Sequence, residues 1–167
     1  MSIGPLELRR VLGSFATGVT VVTSRIGSQT RGITVNSFTS VSLEPPLVLI
    51  CIDHKARSYE FLPEAETFAV NILSDEQAWI CDYFARRLAP NPEDELAEIP
   101  YHDGVTGSPL VDGAIAFIEC RIATRYEAGD HAIFLAEVIT ATLARDAPPL
   151  VFYRGRFPRL VQPEVKA

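Results

Sequence analysis

The chain has 167 residues, of which 47% are hydrophobic and 22% are charged, a size and composition typical of one folded domain. Its 21 acidic residues outnumber its 15 basic residues and give a formal net charge of −6, which argues against nucleic acid as a partner. The longest apolar stretch, residues 45–52, is far shorter than the roughly 18 residues that a membrane-spanning helix needs. We therefore expect one domain over residues 1–167 that does not enter a membrane.

The cysteines and the first residues of the chain favour a cytoplasmic location. The opening MSIGPLELRR lacks the basic start and the continuous apolar segment of a secretory signal. Cys51, Cys81 and Cys120 are an odd number without a CxxC pair, so we expect buried free thiols. The three histidines lie far apart, without cysteine or carboxylate at metal-ligand spacing, and no metal site is predicted.

Apolar periodicity predicts the elements of the first half of the chain. A helix begins at Pro5, because apolar residues recur on one helical face through Phe15. Four strands rich in Val, Ile and Thr follow, at residues 18–24, 30–35, 38–43 and 47–52. Their short joints favour an antiparallel meander, since parallel strands need long crossovers.

The second half predicts further short helices and strands. A helical turn begins at Ser58 and a strand follows over residues 67–73, while Ser74 and Gln77 form a capping box that begins another helix. Residues 89–113 form one long loop in this interpretation, followed by strands at residues 114–126, 131–142 and 150–157. These elements favour a predominantly β protein, an antiparallel closed barrel with short peripheral helices. The alternatives are a β-sandwich or an α+β layer, which the number of strands alone does not exclude.

A polar stretch interrupts the predicted strands at residues 34–42, TVNSFTSVS. A strand with a polar outer face explains the alternation there but not the adjacent pair Asn36 and Ser37. Neutral donors beside an aromatic residue suit a bound heterocycle, which makes this stretch a candidate ligand site. The dinucleotide, P-loop and nucleophile-elbow signatures GxGxxG, GxxxxGK and GxSxG are all absent.

Three further segments carry polar groups at predicted turns. In residues 53–58, DHKARS, the side chains of Lys55, Arg57 and Ser58 stand at the start of a helical turn, an arrangement that attracts phosphate, although a solvated basic loop looks the same. His131 follows the turn signal Gly129-Asp130. The simpler interpretation of this segment is a hairpin in which His131 begins the second strand. Residues 152–157, FYRGRF, interleave aromatic residues with arginines, as an exposed edge strand also does.

Taken in order, these segments resemble the flavin reductase-like family over about residues 6–160. The resemblance is carried by GVTVVTS (18–24), GITVNSFTSVSLEPPLVLICID (32–53), FAVNIL (68–73), GDHAIFLAEV (129–138) and PLVFYRGRF (149–157). It implies a split β-barrel, the FMN-binding barrel, that forms a homodimer. It also implies NADH- or NADPH-dependent reduction of FMN or FAD for a partner monooxygenase. The alternatives are a non-catalytic flavin-binding protein on the same barrel and an unliganded structural barrel.

The resemblance also assigns site residues. The flavin is expected to lie across the polar strand, and His131 beside the nicotinamide, with Tyr153 and Arg156 at the edge of the same cleft. The flavin ring, its ribityl chain and its phosphate are expected to contact Gly32, Thr34, Val35, Asn36, Ser37, Ser40, Lys55 and Ser58, the last two at the phosphate. Because hydride passes between the cofactors, no essential acid or base is expected.

Overall fold

The computed structural model of the chain describes residues 3–85 and 93–161. The helices are α1 (Pro5–Leu12), α2 (Ser58–Ala65) and α3 (Ala78–Ala85), with a 3₁₀ turn at Asp75–Gln77 before α3. The strands are β1 (Thr17–Gly18), β2 (Thr20–Ile26), β3 (Gln29–Val35), β4 (Thr39–Leu43), β5 (Pro46–Asp53), β6 (Thr67–Ile72), β7 (Tyr101–Asp103), β8 (Pro109–Val111), β9 (Ala116–Ala128), β10 (His131–Leu143) and β11 (Val151–Phe152). The predominantly β class is confirmed.

Seven strands form one antiparallel sheet in the order β3-β2-β6-β9-β10-β5-β4. The predicted meander is wrong between β3 and β4, which follow each other in the chain but lie at opposite edges of the sheet. Among residues 3–85 and 93–161, the hydrogen-bond ladders also do not close the sheet into the predicted barrel. The outer edge of β3 is occupied instead by residues 93–95: the Thr30 amide donates to the Glu93 carbonyl (3.0 Å) and the Glu95 amide donates to the Thr30 carbonyl (3.3 Å).

Both faces of the sheet are packed, because successive side chains of a strand point to opposite sides. Val22 belongs to the larger core, with Phe68, Phe134 and Leu62 of α2. Its neighbour Val21 belongs to a second core beneath α3. The sheet is therefore held between α2 on one side and α3 on the other, and both helices contact β3.

Several other predicted elements are confirmed or corrected. The capping box is present, since the Ser74 amide donates to Gln77 Oε1 over 3.1 Å. The predicted loop at residues 89–113 contains the antiparallel pair β7 and β8, whereas residues 86–92 lie outside the described part of the chain. The last predicted strand shortens to Val151–Phe152, because positive φ angles at Arg154 (49°) and Gly155 (76°) turn the backbone away.

The three cysteines are free thiols. Cys81 and Cys120 are buried and Cys51 is half-buried. Burial raises the pKa of Cys81 to about 11 and that of Cys120 to about 12, so both remain protonated at neutral pH. Within residues 3–85 and 93–161, no helix has the length and apolarity to cross a bilayer.

Candidate functional site

A cavity of about 570 Å³ lies where the sheet is open, between β3 and the end of β5. Its volume is within the usual range for small-molecule sites, about 300–1,000 Å³. The lining residues come from β3, from the loop after β5, from α3 and from the segment that covers the edge of β3: Gly32, Ile33, Asp53, Lys55, Ala56, Arg57, Ser58, Tyr83, Phe84 and Glu95. Three residues predicted at the flavin, Gly32, Lys55 and Ser58, therefore lie together.

One end of this cavity has the chemistry of an anion site. Ser58 begins α2 and is only 4% exposed. The first amides of a helix have no acceptor within the helix, and in α2 the Tyr59 amide donates to the Ala56 carbonyl just before it (3.0 Å). These amides give the helix start a partial positive charge, to which the Lys55 ammonium adds a full one. The Lys55 amide donates to Asp53 Oδ1 over 2.8 Å, which fixes the turn that carries the lysine. The end can thus accept a phosphate.

Two aromatic residues of α3 form another wall of the cavity. Phe84 packs so closely on Gly32 that a Cβ atom there would lie 2.4 Å from the ring Cζ. Tyr83 meets Phe84 edge to face, with ring centroids 5.3 Å apart. Burial raises the pKa of Tyr83, so its phenol is neutral and the wall carries no charge. Because Phe84 of α3 approaches so closely, only glycine fits at position 32 without a shift of the ring.

Glu95 places a buried carboxylate on the cavity wall and is 6% exposed. Its Oε1 lies 3.1 Å from Arg57 Nη1 and 3.7 Å from Arg31 Nε. Its Oε2 accepts a hydrogen bond from the Gly32 amide over 3.2 Å. Arg57, the rival cation of the predicted phosphate site, is thus paired with a carboxylate.

The polar residues that follow β3 differ in their contacts and exposure. Ser37 Oγ donates to the Cys51 carbonyl (2.9 Å) and accepts from the Cys51 amide (3.2 Å), so its hydroxyl takes the place of a strand partner for β5. Asn36 is exposed, and its side chain makes no hydrogen bond to the part of the chain that the structure describes. Ser40 is exposed on β4, at the sheet edge.

The two residues before Asn36 present little side chain to solvent. The Val35 side chain is buried in the larger core. Thr34 is half-buried, and its side chain lies against the Cys81 thiol of α3. A ligand beside these two residues would meet mainly backbone.

His131 lies beside the loop that carries the anion site. It stands opposite Asp53 in the pairing of β10 with β5, and Asp53 lines the cavity. Its Nδ1 is 2.7 Å from Asp130 Oδ1, and the hydrogen bond and charge of His131 lower the pKa of that carboxyl. The His54 amide donates to the Asp130 carbonyl over 3.0 Å. The β9–β10 turn and the loop after β5 are therefore joined.

The C-terminal pair lies elsewhere on the chain. Tyr153 and Arg156 line a second cavity, of about 390 Å³, together with Arg154 and Pro158. None of these residues lines the cavity at Lys55. The structure does not bring Tyr153 and Arg156 together with the other predicted site residues in one cavity of this chain, and their place at the flavin cleft stays a prediction.

The sequence matches the flavin reductase like domain over residues 12–161. The chain belongs to this family. Its relatives include the NADH-dependent FAD reductase of Streptomyces globisporus, which is 48% identical over 155 residues, 92% of this chain and 85% of that protein. The reductase subunit HsaB of a flavin-dependent monooxygenase of Rhodococcus jostii is 36% identical over 156 residues, 93% of this chain and 78% of that protein.

A solved structure of the same family has the same fold. The NADH:FAD oxidoreductase SgcE6 of Streptomyces globisporus, in complex with NAD and FAD fragments, superposes with a TM-score of 0.89 at 44% identity. The superposition covers 99% of each chain. The seven-stranded sheet described above is therefore the flavin reductase fold, as the resemblance predicted.

Some cavity residues of this flavin reductase-family chain were not predicted from the sequence. Tyr83 and Phe84 fall in the helix that the Ser74–Gln77 capping box predicts, and Glu95 falls in the predicted loop at residues 89–113. Both aromatic residues pack on the core beneath α3 and also line the cavity, and a helical apolar stripe alone does not indicate the second contact. Nothing in the sequence around Glu95 distinguishes it from the other acidic residues of its segment.

Replacing Asn36 or Ser37 by alanine should separate ligand binding from folding. Each variant is expected to weaken flavin binding by about 1–3 kcal/mol, because a hydrogen bond to the ligand is lost. Ser37→Ala should also lower the free energy of unfolding, since the Ser37 hydroxyl bonds the Cys51 backbone twice, whereas Asn36→Ala should not. Flavin titration and urea unfolding measure the two effects. Unchanged dissociation constants in both variants would remove this stretch from the site.

Proposed function

We propose that the protein is an NAD(P)H-dependent flavin reductase that supplies reduced FMN or FAD to a partner monooxygenase. The observation that carries this proposal is the cavity at the open edge of the sheet, with Lys55, Ser58 and the start of α2 at one end. Membership of the flavin reductase family and the names of its relatives support the chemistry. The three free cysteines fit the cytoplasm, where thiols stay reduced.

The residues of the cavity fit a flavin. Lys55 and Ser58 would hold its phosphate, and the chain from Gly32 to Ser37 would border its ring, with Ser40 farther along on β4. When bound, the flavin and the nicotinamide would themselves supply the hydride-transfer chemistry. The protein's contribution is to hold the two rings in contact and in register, which accounts for much of the acceleration in reactions of this kind.

His131 is proposed to orient the nicotinamide, because it stands beside the cavity loop and Asp130 holds its ring. His131→Ala should slow flavin reduction by about 10- to 100-fold without abolishing it, since a positioning group is lost and no proton transfer depends on it. Stopped-flow measurement of flavin bleaching by NADH tests this. His102→Ala, on β7 beside Asp112, is the matched control and should leave the rate unchanged. Complete loss of reduction in His131→Ala would make the histidine an acid or base.

The protein is proposed to act as a homodimer. The apolar stripe predicted for α1 exists but is uncovered: Leu12 is 61% exposed and Phe15 is 76% exposed. No residue of α1 is buried within this chain. Exposed apolar stripes of this kind mark protein interfaces, and a second copy is the occupant that the family resemblance implies.

Leu12→Lys should shift the protein toward monomer. Each Å² of apolar surface buried in an interface stabilises it by about 25 cal/mol, and the variant replaces an apolar side chain with a charged one. Sedimentation equilibrium at micromolar concentration measures the shift. Val105→Lys places the same charge on an exposed apolar residue between β7 and β8 and should leave the dimer intact. A wild-type protein that is monomeric and active under these conditions contradicts the proposal.

The direct test of function follows the nicotinamide absorbance band. Purified protein mixed with NADH or NADPH should oxidise it only when FMN or FAD is added. Flavin binding without nicotinamide oxidation would instead identify a non-catalytic flavin-binding protein. No binding of either flavin would leave an unliganded barrel, and both of these results overturn the reductase proposal.

A further inference from the structure

The charges on the cavity wall balance one another. Lys55 and Arg57 contribute two positive charges, while Asp53 and Glu95 contribute two negative charges. Sites that retain phosphate tightly surround it with an excess of donors and positive charge. Among the residues that line this cavity there is no such excess, although the cavity has an anion site at one end and Arg31, which does not line it, faces Glu95.

Glu95 is the buried carboxylate that shares the cavity with the anion site and contacts Arg57, the residue before Ser58, and its position is fixed. Its Oε1 faces Arg57 and Arg31, and its Oε2 accepts from the Gly32 amide. The backbone on either side is anchored as well. Asp94 Oδ1 accepts from Thr30 Oγ1 and from the Leu96 amide, and Leu96 is fully buried. The carboxylate therefore cannot leave the wall without disturbing the contacts of its segment.

The placement of Arg57 shows what Glu95 does to the site. The guanidinium belongs to the residue just before Ser58, yet its Nη1 lies 3.1 Å from Glu95 Oε1. A phosphate bound at Ser58 would have to share this guanidinium with a buried carboxylate. Asp53 differs, because its Oδ1 already accepts from the Lys55 amide and holds the turn.

We propose that Glu95 determines phosphate specificity at this site by opposing a compact phosphate dianion and withholding Arg57 from it. The inference rests on the proposed flavin reductase function and deepens it. A phosphate monoester such as that of FMN carries about −1.5 to −2 charge on one group near pH 7. The diphosphate of FAD spreads its charge over two groups, and riboflavin has none. Glu95 therefore weakens FMN most, FAD less and riboflavin not at all.

Weaker phosphate binding should let the reduced flavin dissociate readily after each turnover. A reductase that passes reduced flavin to a separate enzyme must let the flavin leave, and a carboxylate beside the phosphate keeps the affinity moderate. Since dissociation accounts for most affinity differences between related complexes, removal of the charge should slow FMN release.

The experiment compares Glu95→Gln with wild type in titrations of riboflavin, FMN and FAD, followed by flavin fluorescence. Glutamine keeps an oxygen for the Gly32 amide and removes the charge, while its NH2 group takes the place of the oxygen that faces Arg57 and Arg31. We expect the FMN dissociation constant to fall by about tenfold, the FAD constant to fall less, and the riboflavin constant to stay within about twofold. Glu98→Gln is the matched control, because Glu98 is an exposed carboxylate of the same segment that does not line the cavity.

A second variant keeps the test decisive if Glu95→Gln shifts the fold. Arg57→Gln should weaken FMN more in the Glu95→Gln background than in wild type, because Glu95 then no longer competes with the phosphate for the guanidinium. Additive effects of the two substitutions overturn the inference.

The outcomes separate the inference from the proposed function. Selective tightening of FMN supports it. An unchanged FMN constant, an equal change for FMN and riboflavin, or selective weakening of FMN overturns it, the last because Glu95 would then position Arg57 for the phosphate. If the wild-type protein binds none of the three flavins, the proposed function fails and the inference fails with it.

Discussion

Gly32→Ala is expected to lower flavin affinity by at least about tenfold and to destabilise the fold by about 1–3 kcal/mol. The added Cβ would lie 2.4 Å from Phe84 Cζ and 2.6 Å from Phe84 Cε1, so the ring must move. Phe84 lines the cavity together with Gly32, and a displaced ring changes the space that the flavin would occupy. Flavin titration and thermal unfolding measure the two effects.

Gly18→Ala is the matched control for this prediction. Gly18 also lies in a strand, but a Cβ added there meets nothing within 4 Å. The control should therefore bind flavin as the wild type does and unfold at a similar temperature. If Gly32→Ala binds flavin as well as Gly18→Ala does, the aromatic wall of α3 is not part of the flavin site.

The local pattern of the sequence predicts individual elements well. The hydrophobic periods place β3, β5 and β10 to within a residue or two, because each strand's alternation is written in its own residues. The capping box before α3 is equally local, since Ser74 and Gln77 are three residues apart. Such features need no knowledge of the rest of the chain.

The arrangement of the strands could not be predicted in the same way. A meander would have paired β3 with β4, but β4 pairs with β5, and β5 pairs on its other side with β10. These choices depend on contacts between distant segments, and no local residue specifies them. The exposure of α1 has a similar origin, because an apolar stripe looks the same whether it packs on its own chain or on another.

Some residues of the candidate site could likewise be predicted from the local sequence, and others could not. Lys55, Arg57 and Ser58 could be predicted as a group, since the charges and the helix start are adjacent in the sequence. Phe84 and Glu95 become cavity residues only because α3 and the segment at residues 93–95 pack on β3, far away in the chain. Their roles follow from tertiary packing, which the sequence pattern does not contain.

The structure also distinguishes the two cations at the predicted phosphate site. Arg57 is 3.1 Å from the Glu95 carboxylate, so part of its charge is already neutralised. Lys55 is exposed at the cavity, and no ion pair joins its ammonium to another described residue. Lys55 is therefore the cation expected to contribute most to phosphate binding in the wild-type protein.

Lys55→Ala should weaken FMN and FAD by about 10- to 100-fold, because a charge-assisted contact is worth about 1.5–3 kcal/mol. Riboflavin has no phosphate and should bind nearly as before. Ser58→Ala should have about half the effect in free energy, since its hydroxyl is a neutral donor. If Lys55→Ala weakens riboflavin as much as FMN, the lysine supports the loop and the phosphate assignment is wrong. If only Arg57→Ala discriminates between the two flavins, the phosphate-binding cation is Arg57, two positions farther along the chain. Its guanidinium would then have to leave Glu95 to reach the phosphate.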